Sequence, residues 1–66
     1  MSPTALGETI HFEHADGRGA RLTWNPMLAE WVAQTFTPYQ IDHFDARSDA
    51  ERWLNRQGFW PKKVVA

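Results

Sequence analysis

Three histidines and a run of carboxylates are the residues of this chain best equipped for acid–base or metal chemistry. His11 and His14 have Glu13 between them, and Asp42, His43 and Asp45 lie close together further along. Imidazole and carboxylate are zinc ligands, and a carboxylate beside a histidine is the orienting half of a general-base system. The spacing argues against both uses. On a strand, positions 11 and 14 point to opposite faces, and neither matches a closed zinc spacing. A general base also needs a nucleophile and a pocket, and no Ser, Thr or Lys is spaced to serve Asp42, His43 and Asp45. Gly17 and Gly19 flank Arg18 as a turn would, not as a phosphate-cradling loop. The chain has no cysteine, which excludes disulfides, thiolate zinc sites and a cysteine nucleophile. The expectation is a non-enzymatic protein with no catalytic, cofactor-binding or metal-ligating residues.

Charge is the second source of chemistry, and it is unevenly placed. The formal total of −1 divides into −5 over residues 1–51 and +4 over residues 52–66. Polarity of this kind bears on partners more than on fold. Asp42, Asp45, Asp49 and Glu51 fall within ten residues, offset in part by Arg47. Asp49 and Glu51 suit a helix N-terminus, and the remainder could offer carboxylates to a basic protein surface. The expected protein-binding edge is therefore Asp42, Asp45 and Asp49, with Phe44 as an apolar anchor. At the other end, Arg52, Arg56, Lys62 and Lys63 surround Trp60. Basic residues interleaved with an aromatic suit phosphate contact and base stacking, so these five form the alternative, nucleic-acid-binding set. A slightly acidic chain lacks the positive excess usual for such domains, which makes nucleic acid the second choice.

These residues must be positioned by a very small fold. Sixty-six residues make a single domain that buries only about 60% of its unfolded surface. Nine aromatic rings, four of them tryptophan, supply the area that a small core needs. A core of this size is expected to absorb six or seven of them and leave one or two exposed, Phe44 or Trp60 among them. A homodimer would be another way to cover the surplus. The absence of a long apolar run or a signal-like N-terminus gives the expectation of a soluble, cytoplasmic protein without membrane partners.

Periodicity predicts the elements. Ile10 and Phe12 alternate with polar residues, as do Ala20, Leu22 and Trp24, and Asp16-Gly17-Arg18-Gly19 between them reads as a hairpin turn. A further strand is predicted from Tyr39 to Phe44. Ser48 and Glu51 fit a capping box for a helix over about Asp49–Gln57, with Trp53 and Leu54 as its apolar centre and Gly58 as its stop. Residues 25–36 are ambiguous. Asn25 and Pro26 look like a helix start, placing Leu28, Trp31, Val32, Thr35 and Phe36 on one face, while the β-branched and aromatic content also suits a strand. Local signals favour the helix. The fold class expected is α+β: a small antiparallel sheet of three to four strands with a C-terminal helix packed on one face.

The run Ile41-Asp42-His43-Phe44-Asp45 followed by Asp49-Ala50-Glu51-Arg52-Trp53-Leu54 resembles the strand-to-helix end of three-stranded sheet-plus-helix domains, including the arm-binding domains of phage integrases. That resemblance covers about twenty residues and implies DNA binding. Those DNA-binding sheets carry Lys and Arg where this strand has Asp42 and Asp45. The length, polarised charge and lack of a catalytic set are similar in type to small phage or mobile-element inhibitors such as anti-CRISPR proteins. That likeness implies a protein that occupies a basic surface of a host nucleic-acid-handling complex.

Overall fold

The computed structural model describes residues 8–62, so Lys63 of the basic set lies outside the described residues. The elements run β1 (Thr9–His14), β2 (Gly19–Asn25), β3 (Glu30–Phe36), β4 (Tyr39–Phe44), α1 (Arg47–Arg56) and β5 (Phe59–Pro61). The strands form one antiparallel sheet in the order β4-β3-β2-β1-β5, with α1 packed on one of its faces. The α+β class stands. The sheet has five strands, however, where three or four were expected, and the helix is followed by a strand instead of ending the fold.

Each hairpin has a local cause. Gly17 turns β1 into β2 with φ +94°, and the Asp16 carboxylate accepts the Arg18 amide (3.0 Å) and guanidinium Nε (2.7 Å). Between β2 and β3, Asn25 Oδ1 accepts the amides of Met27 (3.0 Å) and Leu28 (3.3 Å). The feature that resembles a helix cap is thus real, but it closes a tight loop over residues 26–29. β3 follows as a strand, correcting the helical reading of 25–36. Pairing of Trp24 with Trp31, Leu22 with Ala33 and Ala20 with Thr35 gives each β3 residue a cross-strand partner. Between β3 and β4 the Thr37–Pro38 bond is cis, and the buried Thr35 hydroxyl donates to the Pro38 carbonyl (2.7 Å).

The helix begins earlier than its expected cap. Ala46 is the N-cap and offers no side-chain bond; its carbonyl accepts the Asp49 (3.2 Å) and Ala50 (3.3 Å) amides. Ser48 lies inside the helix, and Glu51 pairs with Arg47 (2.7 Å) one turn back, so the capping box is not made. At the other end, the Gly58 amide bonds Asn55 O (3.0 Å) and Gly58 has φ +92°, reversing the chain into β5. Phe59 thereby enters the core with Phe12, Ala20, Leu22, Ala33, Ala50 and Leu54. The helix buries Ala50 and Leu54 fully, whereas Trp53 is half-buried against Phe44, with ring centroids 5.9 Å apart. No helix among the described residues is long and apolar enough to cross a membrane.

Candidate functional site

Strand alternation and the pairing register divide the sheet into two unlike faces. Beneath α1 lie Phe12, Leu22, Ala33 and Phe59. Among the described residues no element lies over the opposite face, and across it run Thr9, His11 and Glu13 of β1, Arg21 and Thr23 of β2, Val32, Gln34 and Phe36 of β3, and Tyr39, Ile41 and His43 of β4. Trp60 joins them through its pairing with Glu13. Four of the large apolar side chains exposed in this protein, Phe36, Tyr39, Ile41 and Trp60, lie on this face. Tyr39 is 67% exposed and Trp60 58%. Three of nine rings are therefore exposed, one more than the upper expectation.

The polar groups between them are largely tied to one another. The Arg21 guanidinium lies 5.7 Å from the Phe36 ring centroid and its Nε donates to Gln34 (3.1 Å). His43 Nδ1 bonds the Glu30 carboxylate. A histidine held by a carboxylate is half of a general-base arrangement, yet its cross-strand neighbour is Val32, with Thr23 beyond it on β2. Among the described residues the register thus sets an aliphatic side chain, not a hydroxyl, directly across from the ring. Two shallow hollows interrupt the face: one of about 380 Å³ bordered by Arg21, Thr23, Val32, Gln34 and Ile41, another of about 200 Å³ over Gly19, between Glu13, Lys62 and Phe36. His11 sits on this open face and His14 on the other, against Phe59 (5.4 Å, edge-on), as strand alternation requires. Among the described residues no group of three or more His, Asp or Glu side chains is arranged to hold a metal ion.

The acidic set follows the β4 side of the molecule. β4 is an edge strand, exposed along its length except at Phe44. Asp42 accepts the His43 amide (2.8 Å), Asp45 is exposed in the connection to α1, and Asp49 in the first helical turn pairs with Arg52 (3.2 Å). Phe44 turns inward to Trp53, so the exposed apolar groups beside these carboxylates are Tyr39 and Ile41. The basic set is divided. Arg52 and Arg56 are on the outer side of α1, while Trp60 and Lys62 lie on the sheet's opposite, open face. Phe36, Val32 and Gln34 were missed as surface residues because a helical reading groups Val32 and Phe36 with Trp31 and Thr35. The alternation of Trp31, Ala33 and Thr35 with Val32, Gln34 and Phe36 was the signal that could have found them.

Comparison with known protein families, curated protein sequences and solved structures finds no match.

Proposed function

We propose that this chain is a non-enzymatic protein-binding domain that docks on a basic surface of its partner, in the manner of a small phage-type inhibitor of a nucleic-acid-handling complex. One observation carries the reading: an uncovered sheet face bearing exposed Phe36 and Tyr39 is bordered by the edge strand β4, which carries Asp42 on its helix side and leads into Asp45. Apolar anchors at the centre and charge at the rim is the anatomy of a protein interface. The carboxylates would act mainly on association rate and orientation, and the rings on residence time. Shallow hollows and a histidine set across from an aliphatic side chain favour binding over catalysis. A cytoplasmic setting belongs to the same proposal, and the absence of cysteine suits a reducing compartment.

The test is affinity capture from nuclease-treated host lysate with wild type and the Asp42→Lys/Asp45→Lys variant. A stoichiometric protein retained by wild type, and bound more slowly by the variant at low salt, supports the reading. Equal association rates for both would sink the acidic edge. A second reading rests on Trp60 beside Lys62: a small DNA-binding or accessory domain, for which capture would vanish with nuclease and affinity would fall steeply with salt.

A further inference from the structure

The two edges of the sheet are built differently. β5 is three residues long and ends in Pro61, which has no amide to donate. β4 runs for six residues with neither proline nor lysine in it, and it is exposed almost throughout. Such an edge offers a row of unpaired backbone groups to another strand. Which groups point outward follows from the ladder. The Trp24 amide bonds Glu8 O (3.0 Å), toward β1, so Trp24 and Trp31 are not a hydrogen-bonded pair. Alternation then turns Trp31, Ala33 and Thr35 toward Phe44, Asp42 and Gln40, leaving Tyr39, Ile41 and His43 with their amides and carbonyls facing out. The His43 amide agrees, being taken by its neighbour Asp42 and not by β3.

From this edge we infer that β4 pairs antiparallel with β4 of a second copy, about a two-fold axis through Ile41, joining two sheets into one. In that register the Ile41 backbones exchange hydrogen bonds, and Tyr39 of each copy does so with His43 of the other. On the open face Ile41 meets Ile41, and each Tyr39 ring meets an imidazole. On the helix side Gln40 meets Asp42 of the other copy in a non-hydrogen-bonded pair, where side chains approach most closely. An amide opposite a carboxylate replaces the bond that Asp42 gives up when the His43 amide turns to the new strand. The strand is therefore complementary to itself in chemistry as well as in direction. A two-fold through Asp42 would instead set two carboxylates face to face, and one through Gln40 would leave His43 without a partner strand.

An isologous contact of this size is small, so a dissociation constant on the order of 10 µM is expected. The inference goes beyond partner docking and does not rest on it, because its test uses the purified chain alone. Sedimentation equilibrium over roughly 1–500 µM, a range bracketing that constant, should move from the mass of one 7.7 kDa chain to twice that mass. Gln40→Lys should tighten the dimer, and Gln40→Asp weaken it, by about fivefold each through two symmetric cross-strand pairs. Because the chain has no cysteine, Ile41→Cys can form only an intermolecular disulfide, and mild oxidation should link it far faster than Glu13→Cys, on the same face but remote from β4. A single-chain mass at every concentration overturns the inference. So does a dimer in which the two Gln40 variants bind alike, or in which Ile41→Cys links no faster than Glu13→Cys.

Discussion

A β-carbon added at Gly58 would stand 2.6 Å from Nε2 and 2.7 Å from Cδ2 of the His14 ring. Gly58 also has φ +92°, so a side chain there is opposed twice, by its own backbone and by β1. The ring cannot easily withdraw. It packs edge-on against Phe59, and its Nδ1 accepts the Asp16 amide (3.1 Å). The stop of the helix and the start of β5 therefore depend on one missing methyl group. Gly58→Ala should cost about 2–4 kcal/mol by chemical denaturation. Adding His14→Ala should recover the steric part and leave the backbone part, which a double-mutant cycle will resolve. Additive effects of the two changes would show that the contact is not the cause.

Ala29 offers the reverse experiment. It closes the β2–β3 loop with φ +52°, a left-handed conformation that disfavours any residue with a β-carbon. Ala29→Gly should therefore stabilise the protein by about 0.5–1 kcal/mol, the relief of strain exceeding the added freedom of the unfolded chain. A higher denaturation midpoint with an unchanged m-value is the expected result.

The helix reverses the order of importance that its sequence suggests. Leu54 is 0% exposed and central to the core, while Trp53 is half-buried, sharing its ring contact with Phe44. Leu54→Ala should cost about 3–4 kcal/mol and Trp53→Ala about 2 kcal/mol, although the tryptophan is the larger side chain. Thermal unfolding of the two variants checks the order.

What the sequence made legible, and what it hid, divides along a physical line. β1, β2 and β4 alternate cleanly and sit between strong turn residues, so local pattern and tertiary position agree. Gly58 was readable as a helix stop because only glycine takes that φ without cost. The failures arose where a local signal served another purpose. Asn25 caps, but it caps a loop, because the partners waiting for β3 lie on β2 and β4 and are invisible in a short window. Ser48 and Glu51 have capping-box spacing, but Arg47 competes for the Glu51 carboxylate. β5 is too short to show any period, and Pro61 disguises it; it exists because β1 has a free side to pair with. In the candidate site, alternation separates Phe44 from Tyr39 and Ile41 but does not say which side of β4 the helix covers. Phe44 was expected outside, and its packing on Trp53 leaves Tyr39 and Ile41 exposed instead, whereas Phe36 depended on reading β3 correctly.

Acid should loosen the β1–β2 turn in a defined way. The Asp16 pKa is held below its ordinary 3.8 first by the hydrogen bond from the Arg18 amide; desolvation opposes this, and the Arg18 side chain lowers the pKa further. A carboxyl group with a depressed folded pKa contributes stability that is present above its unfolded pKa and is lost as pH falls through the folded value. The turn should thus keep its order at pH 5 and lose it progressively below about pH 4, the ordinary carboxylate range. Asp16→Asn should remove that step. Amide chemical shifts of Gly17 and Arg18 followed through an acid titration will show whether the transition belongs to Asp16.

Tyr39 and Trp60 stand on the same face but answer to different partners. Tyr39 lies on β4 near the acidic edge, and Trp60 lies on β5 near Lys62, with β1, β2 and β3 between the two strands. Both rings are largely exposed, so replacing either with alanine should change stability by no more than about 1 kcal/mol, mainly through strand propensity. Any larger loss of binding therefore reports contact with a partner. Docking on a basic protein surface requires Tyr39→Ala to weaken capture by about tenfold or more, as expected of an aromatic anchor, and to act chiefly on dissociation. Trp60→Ala should then have little effect. Single-stranded nucleic acid stacked on the face would reverse the pattern, with Trp60→Ala costing about 1–3 kcal/mol of affinity. Measuring both variants against one captured partner by surface plasmon resonance separates the two ends of the face, and equal losses at both would require a partner broad enough to span all five strands.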